Sequence, residues 1–462
     1  MLDWQQLLNH SRRKDKTHHQ SMNSAGGRVE IERDFDRILF ATPTRRMADK
    51  TQVFPLEKND SVRTRLTHSH EVSNLARSIG VRLAFEFPEQ VFGSQHEELL
   101  VKRNIPPLLA AIGLAHDLGN PPFGHQGEMS IQAWFKKNNK KWFNNQVNAD
   151  FLHFDGNAQT FRLMTRLQIL NDDYGLNLTY ATLAAMIKYP SFWSSIDKGG
   201  YKKSGIFESE RSIVEDVWKN TGLGPGLRHP LTYIMEACDD IAYATMDAED
   251  TVKKGYASFY DLIDHLEHYC QDDELMLELI NSSKKKNTEF KQESLSSNEL
   301  NDISMQMLRV KAISLMVTSV VDTFVTHCRT LMANKNAEGF NLVNASKANA
   351  LCRTLKIFDA EYGYQHKTVL ELELRGSNYI HSLMDMLWEG INNEGQGSLF
   401  AQYAFGQISE NYRRVYNKNP HLEANYKKAQ LLCDVLSGMT DSYIISLHDE
   451  LKPLYDGYSR QK

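Results

Sequence analysis

Cysteine is scarce in this chain: five in 462 residues, odd in number and scattered at Cys238, Cys270, Cys328, Cys352 and Cys433, with no CxxC pair. That excludes a disulfide framework and a thiolate metal site, and it fits a reducing compartment. No apolar run is long enough to span a bilayer, and the opening MLDWQQLLNHSRRKDK lacks a signal-peptide core. A cytoplasmic protein with no membrane partner is expected. A basic excess is also missing: 53 Lys and Arg stand against 58 Asp and Glu, a net charge of −5. This argues against a general nucleic-acid binder but leaves room for a local basic pocket. No internal repeat is found, and strand-like alternation is confined to the short GFNLV stretch. What is present is an ordinary globular composition, 41% hydrophobic and 24% charged, patterned at helical period. The fold class expected is all-α, with very little strand.

The chain is organised around His116-Asp117-Leu118-Gly119-Asn120-Pro121-Pro122-Phe123-Gly124-His125-Gln126-Gly127-Glu128. Upstream, PPLLAAIGLA reads as a buried helix that delivers His116 and Asp117 at its C-terminal end. Gly119 and the Pro pair stop it. An imidazole beside a carboxylate suits a borderline or hard divalent cation, although most His-Asp pairs are plain surface residues. His125 and Glu128 share a face if a helix restarts near Gly124. Further ligands are found on either side. His68 or His70 stands at the start of a helix whose apolar face is Val72, Leu75, Ala76, Ile79 and Leu83, with Arg65 one turn earlier. A capping or solvated histidine is the bland alternative. Downstream, Asp239, Tyr243 and Asp247 fall at i, i+4 and i+8, spread over about 80° of one helix amid Ala, Ile and Met. Such a stripe is costly unless it meets a cation or polar ligand, which makes Asp239 the fourth metal-ligand candidate. Asp240 points about 100° away and suits a cap or salt bridge.

Elsewhere, residues 1–30 read as a flexible segment, and Arg12-Arg13-Lys14 as a solvated cluster or a phosphate contact. Residues 31–462 read as one large helical domain, with a metal core at about 60–255 and a C-terminal helical part at about 300–462. Phe35, Ile38, Leu39 and Phe40 form a helical apolar face. Arg33, Arg37, Arg45, Arg46 and Lys50 are either ordinary surface charge or one wall of an anion pocket. Residues 130–150 read as a surface helix and loop. Lys188 and Tyr189 close a helix that ends at Pro190, where a lysine is favoured by the helix dipole. Residues 281–300 read as a polar loop. KKAQLLCDVLSGMTDSYIISLHDEL reads as one C-terminal helix.

The order His68, His116-Asp117, Asp239 resembles the H…HD…D pattern of the HD superfamily of metal-dependent phosphohydrolases. RTRLTHS, AHDLGNPPFGHQGE, FDGNAQTFR, LAAMIKYP and EACDDIAYATMDAED resemble, more narrowly, the bacterial dGTP triphosphohydrolase family, as do DKTQVFPL and SGMTDSY. The likeness runs from about Asp34 to the C-terminal helix. It implies a divalent metal, Mn²⁺ or Mg²⁺ first and Fe²⁺, Co²⁺ or Zn²⁺ next, held by His68, His116, Asp117 and Asp239. It implies cleavage of a dNTP, dGTP favoured, to deoxynucleoside and intact triphosphate. By the same likeness His125 and Glu128 are catalytic, and Gln52, Arg65, Lys188, Tyr189, Tyr243 and Asp247 bind substrate. A homo-oligomer, a hexamer by resemblance, regulated by dNTP or single-stranded DNA, is also implied. His70 departs from the family's apolar residue at that place. The alternatives are an HD phosphohydrolase or phosphodiesterase on another nucleotide, and a non-catalytic nucleotide sensor.

Overall fold

Helical period dictates nearly everything in the computed structural model, which describes all residues except 17–26, 58, 169–171, 196–200, 202, 334–338, 419–420 and 461–462. Among the described residues there is no sheet, only isolated antiparallel bridges of Arg12 with Thr179 and Thr51 with Thr64. The GFNLV stretch is a turn whose Leu342 and Val343 are buried. In chain order the helices that matter here are α1 (Trp4–Leu7), α2 (Glu30–Leu39), α3 (Arg65–Glu86), α4 (Val101–Ala115), α5 (Gly124–Phe143), α6 (Gly156–Arg162) and α7 (Tyr180–Ala185). They continue as α8 (Pro230–Lys253), α9 (Ser297–Met332), α10 (Asn349–Phe358), α11 (Lys367–Asn392), α12 (Ala424–Ser437) and α13 (Asp441–Ser459).

Two large hydrophobic cores result, besides a small cluster of Phe54, Val62 and Val369. In the first, Val72, Ile79 and Leu83 of α3 join Leu109 and Ile112 of α4, Ile234 and Ile241 of α8, and Val320 and Phe324 of α9. In the second, Trp134, Phe135 and Phe143 of α5 join Leu387 and Trp388 of α11, Leu432 of α12 and Ile444 of α13. Thus α5, expected at the surface beyond residue 130, is a core helix. Its lysines at 136, 137, 140 and 141 face outward while the interleaved aromatics face inward.

Other expectations are corrected in the same way. Residues 281–300 are mostly helix, because Met276, Leu279 and Ile280 bury one face of Glu274–Phe290; only a short turn precedes α9. The C-terminal stretch is two helices, broken at Gly438-Met439-Thr440, where the Thr440 hydroxyl caps α13. Helix α7 stops at Ala185, so Lys188 and Tyr189 lie in the bends beyond it and not in its last turn. Phe40 falls just past α2 and is exposed. Within the N-terminal segment, Trp4, Leu7 and Leu8 are buried in the first core, and Arg12 is buried against Glu30 and Asp34. Residues 17–26 of that segment lie outside the described residues.

Candidate active site

Helix α3 starts at a capped Thr64, whose backbone N–H donates to the Thr67 hydroxyl at 3.0 Å. That start sets the phase that buries His68 completely, while His70 is exposed. Helix α4 ends at Ala115, so His116 is the first residue past it. The His116 Nδ1 is 2.7 Å from the Gly113 carbonyl, which makes Nδ1 the donor and leaves the Nε2 lone pair facing inward. Helix α8 brings Asp239. Its Oδ1 lies 3.3 Å from His68 Nε2 and 3.4 Å from His116 Nε2. These three residues form a compact cluster whose ligand atoms are within 4.8 Å of one another.

The cluster fits a divalent cation. Two imidazoles and a carboxylate are the donor mix of borderline metals. His116 Nε2 is buried and lacks a hydrogen-bond partner, which a ligand would remedy. Burial alone would lower the His116 pKa, yet Asp117 and Asp239 hold it up to about 9, so the cluster without an ion demands positive charge. Asp239 lies well below the usual carboxylate range: burial opposes this, but His116, His68 and Lys188 prevail.

Asp117, expected as a fourth ligand, stands at the edge of this trio and not within it. Its Oδ2 accepts from Arg65 Nη1 and lies 3.5 Å from His116 Nε2. Its Oδ1 accepts from Asn120 Nδ2 at 2.8 Å. Arg65, itself buried, is seated on the Thr51 carbonyl through Nε at 3.2 Å and Nη2 at 2.9 Å. Asp240 pairs with Lys356 at 2.5 Å and Asn341 at 3.0 Å, which places it in a salt bridge away from the cluster.

His125 and Glu128 share one face of α5, with Nδ1 to Oε2 at 3.3 Å. The Glu128 hydrogen bond raises the His125 pKa above its ordinary value. Glu128 is itself aimed by the Gly156 N–H, which donates to Oε1 at 2.6 Å. A Cβ at 156 would press on two side-chain ends, 2.0 Å from Asn120 Oδ1 and 2.8 Å from Glu128 Oε1, and would push the Glu128 carboxylate from its place. The FDGNAQTFR stretch thus holds both the Glu128 carboxylate and the loop after His116.

On the far side of Asp239, Lys188 Nζ lies 3.6 Å from Asp239 Oδ2 and 3.8 Å from Glu236 Oε1. Burial works against its charge, but Asp239, Tyr189 and Glu236 raise its pKa above the usual range. The Lys188 ammonium also lies over the Tyr189 ring at 6.0 Å. Further along α8, Tyr243 packs against Tyr364, with ring centroids 5.6 Å apart. Asp247 is fully buried; Oδ2 accepts from the Tyr364 hydroxyl at 2.6 Å, and Oδ1 has no partner. The Oε1 of Gln52 is likewise buried and unpartnered. Burial pushes the Asp247 carboxyl up to about 8. Arg45 and Arg46, weighed as anion contacts, instead bond the Phe40 carbonyl at 3.2 Å and the Gly438 carbonyl at 2.9 Å.

Four residues near the site escaped the sequence reading. Tyr364 and Asp359 come from a π-helical turn after α10, and both oxygens of the buried Asp359 are unpartnered. Lys356 lies over the Tyr243 ring at 5.5 Å. Arg228 donates to the Lys188 carbonyl at 2.6 Å and to Glu236 at 2.8 Å. Tyr364, Asp359 and Lys356 lie more than a hundred residues from their partners, and no local pattern marks any of the four.

Comparisons with known proteins point to one family. The model of a phosphohydrolase-associated domain matches residues 342–450. A deoxyguanosinetriphosphate triphosphohydrolase-like protein of Listeria monocytogenes is 36% identical over 98% of this chain and 100% of its own length. One from Synechocystis is 31% identical over 98% of this chain and 99% of its own. The deoxyguanosinetriphosphate triphosphohydrolase of Salmonella paratyphi A is 30% identical over 89% of this chain and 91% of its own. No helix among the described residues is long and apolar enough to cross a membrane.

Proposed function

Because the chain belongs to the deoxyguanosinetriphosphate triphosphohydrolase family, we propose that it is a metal-dependent dNTP triphosphohydrolase with dGTP as the favoured substrate. The observation that carries this reading is the His68–His116–Asp239 trio, with its unpartnered His116 nitrogen. Mn²⁺ or Mg²⁺ is the ion proposed; Fe²⁺, Co²⁺ and Zn²⁺ suit the same donors. Asp117 completes the set from the edge of the trio. When bound, the ion supplies a Lewis acid that polarises the α-phosphoryl group and acidifies water.

The protein's own groups do the rest. Release of intact triphosphate breaks the bond between the α-phosphorus and the 5′ oxygen. The leaving alkoxide is a strong base, and His125, held by Glu128 through Nδ1, manages the proton at its other nitrogen. Arg65 and Lys188, with Tyr189, face the negative charge of the triphosphate. At the sugar, Gln52 and Asp247 each have a free acceptor for a 3′-hydroxyl. Tyr243 fills the space a 2′-hydroxyl needs, so a ribonucleotide loses by crowding. We extend the proposal to a homohexamer in the cytoplasm, responsive to dNTP or single-stranded DNA. A monomer in light scattering at working concentration would remove that extension.

The deciding experiment incubates the protein with each of the four dNTPs and GTP over Mn²⁺ and Mg²⁺, and identifies products. Deoxynucleoside plus triphosphate supports the proposal. Orthophosphate or pyrophosphate points to another HD phosphohydrolase, and no turnover to a nucleotide sensor. GTP turned over as fast as dGTP would sink the role given to Tyr243.

A further inference from the structure

Three segments far apart in sequence meet beside Arg65: residues 50–51, the loop 120–123 that follows the metal residues, and the junction 437–441 between α12 and α13. Asp441 is at the centre. It occupies the first turn of α13, where any acidic residue is favoured by the helix dipole, and that alone would make it ordinary. Its oxygens, however, do not serve its own helix, which Thr440 caps. Oδ2 accepts the Thr51 N–H at 2.8 Å and the Thr51 hydroxyl, and Oδ1 accepts the Phe123 N–H at 3.0 Å. Asp441 is 3% exposed, so these are the bonds that satisfy it.

Both partners lead to the site in one step. The Thr51 carbonyl seats Arg65 through two N–H groups and leaves Nη1 for Asp117. Phe123 is the residue before α5, the helix that carries His125 and Glu128. It has φ +60°, and Gly124 follows at +55°. A left-handed phenylalanine is strained and persists only when its surroundings hold it. Asp441 holds it from the backbone, and the Phe123 ring packs where Gly376 of α11 leaves room: a Cβ there would be 2.7 Å from the ring. A second tie runs parallel. Buried Lys50 donates to the Asn120 carbonyl at 2.6 Å and to the Ser437 carbonyl at 2.7 Å.

We propose that Asp441 is a positioning residue for the reaction, one carboxylate that sets both the Arg65–Asp117 pair at the metal and the start of the His125 helix. The inference rests on the function proposed above. It gives the C-terminal part, within the stretch matched to a phosphohydrolase-associated domain, a direct bearing on the metal loop. Outer-shell partners of this kind change metal affinity or activity by about 10–100-fold.

The test uses the full-length protein and reads Mn²⁺ affinity by electron paramagnetic resonance, with kcat and KM on dGTP measured separately. Asp441→Asn keeps the size but turns one acceptor into a donor, which then faces a Thr51 or Phe123 N–H. Expected are a fall in kcat of about 10–100-fold and Mn²⁺ binding weaker by about 10-fold. A folded Asp441→Asn protein with wild-type Mn²⁺ affinity and wild-type kcat overturns the proposal and leaves Asp441 a purely structural residue. Should that variant not fold, Thr51→Val and Thr51→Ser decide. Valine loses the hydroxyl contact and should weaken Mn²⁺ binding several-fold, while serine restores it; equal affinities for the two overturn the inference. If the wild type binds Mn²⁺ but turns over no dNTP, the functional reading fails, and the Mn²⁺ measurements still judge Asp441.

Discussion

His125 projects into solvent with its side chain 74% exposed, while the Glu128 side chain beneath it is only 11% exposed. An exposed imidazole contributes little packing, so its removal is a clean probe of chemistry. His125→Ala should retain Mn²⁺ and nucleotide binding and lose turnover by about 10²–10⁴-fold. Loss of binding with unchanged kcat would assign it to affinity instead. Asp247 is the opposite kind of residue. Folded, its carboxyl keeps a proton to about pH 8; unfolded, it loses it near the ordinary value of about 3.9. The folded state therefore holds more protons between those limits, and stability falls as pH rises through them. Asp247→Asn has no proton to lose. Relative to wild type it should gain stability as pH rises from 5 to 8, by at most about 1.4 kcal/mol per pH unit. Denaturation curves whose separation stays constant over that range would show the carboxyl to be ionised without penalty.

At the scale of elements, the loop from His116 to Gly124 depends on how closely it approaches α6. The Gly119 N–H donates to the Thr160 hydroxyl at 2.8 Å, and a Cβ at 119 would lie 2.2 Å from the Thr160 nitrogen. Backbone cannot yield as a side-chain tip can. Gly119→Ala should cost about 1–3 kcal/mol or more and weaken Mn²⁺ binding with it; an unchanged melting temperature would refute this contact. The helices α3, α4 and α8 were legible because their apolar residues recur at helical spacing over many turns. The His68, His116 and Asp239 positions were legible because each sits at a helix start, a helix end or on a polar stripe. What was not legible followed from tertiary contacts. The aromatics of α5 read as surface until α11 and α12 are seen to cover them. That Arg65 bonds the Asp117 carboxylate from half a hundred residues away was not legible either. Tyr364 and Asp359 lie in a π-helical turn, a backbone detail that no periodicity announces.

Across the whole molecule, the two cores are tied by a buried charge cluster between α6 and α12. Arg162 forks onto Asp434, Nε to Oδ1 at 2.8 Å and Nη2 to Oδ2 at 2.7 Å, while Nη1 reaches Glu210 at 2.7 Å. Removing one member strands the others in a buried site. Asp434→Ala should cost about 3–5 kcal/mol, read by chemical denaturation; a loss below about 1 kcal/mol would mean that solvent reaches the cluster. A different consequence follows from the unpartnered oxygens of Asp247 and Asp359. Burial raises both carboxyls, and the Asp247 charge raises Asp359 further. The two carboxyls thus hold protons that carboxyls in water would lose. A nucleotide hydroxyl that donates to Asp247 favours its ionised form, so arrival of the sugar should expel a proton to the medium. Heats of dGTP binding measured at pH 7 in Tris and in phosphate should then differ, because the buffer takes up what the protein gives off. Identical heats in the two would mean that the pocket receives its ligand without changing its charge.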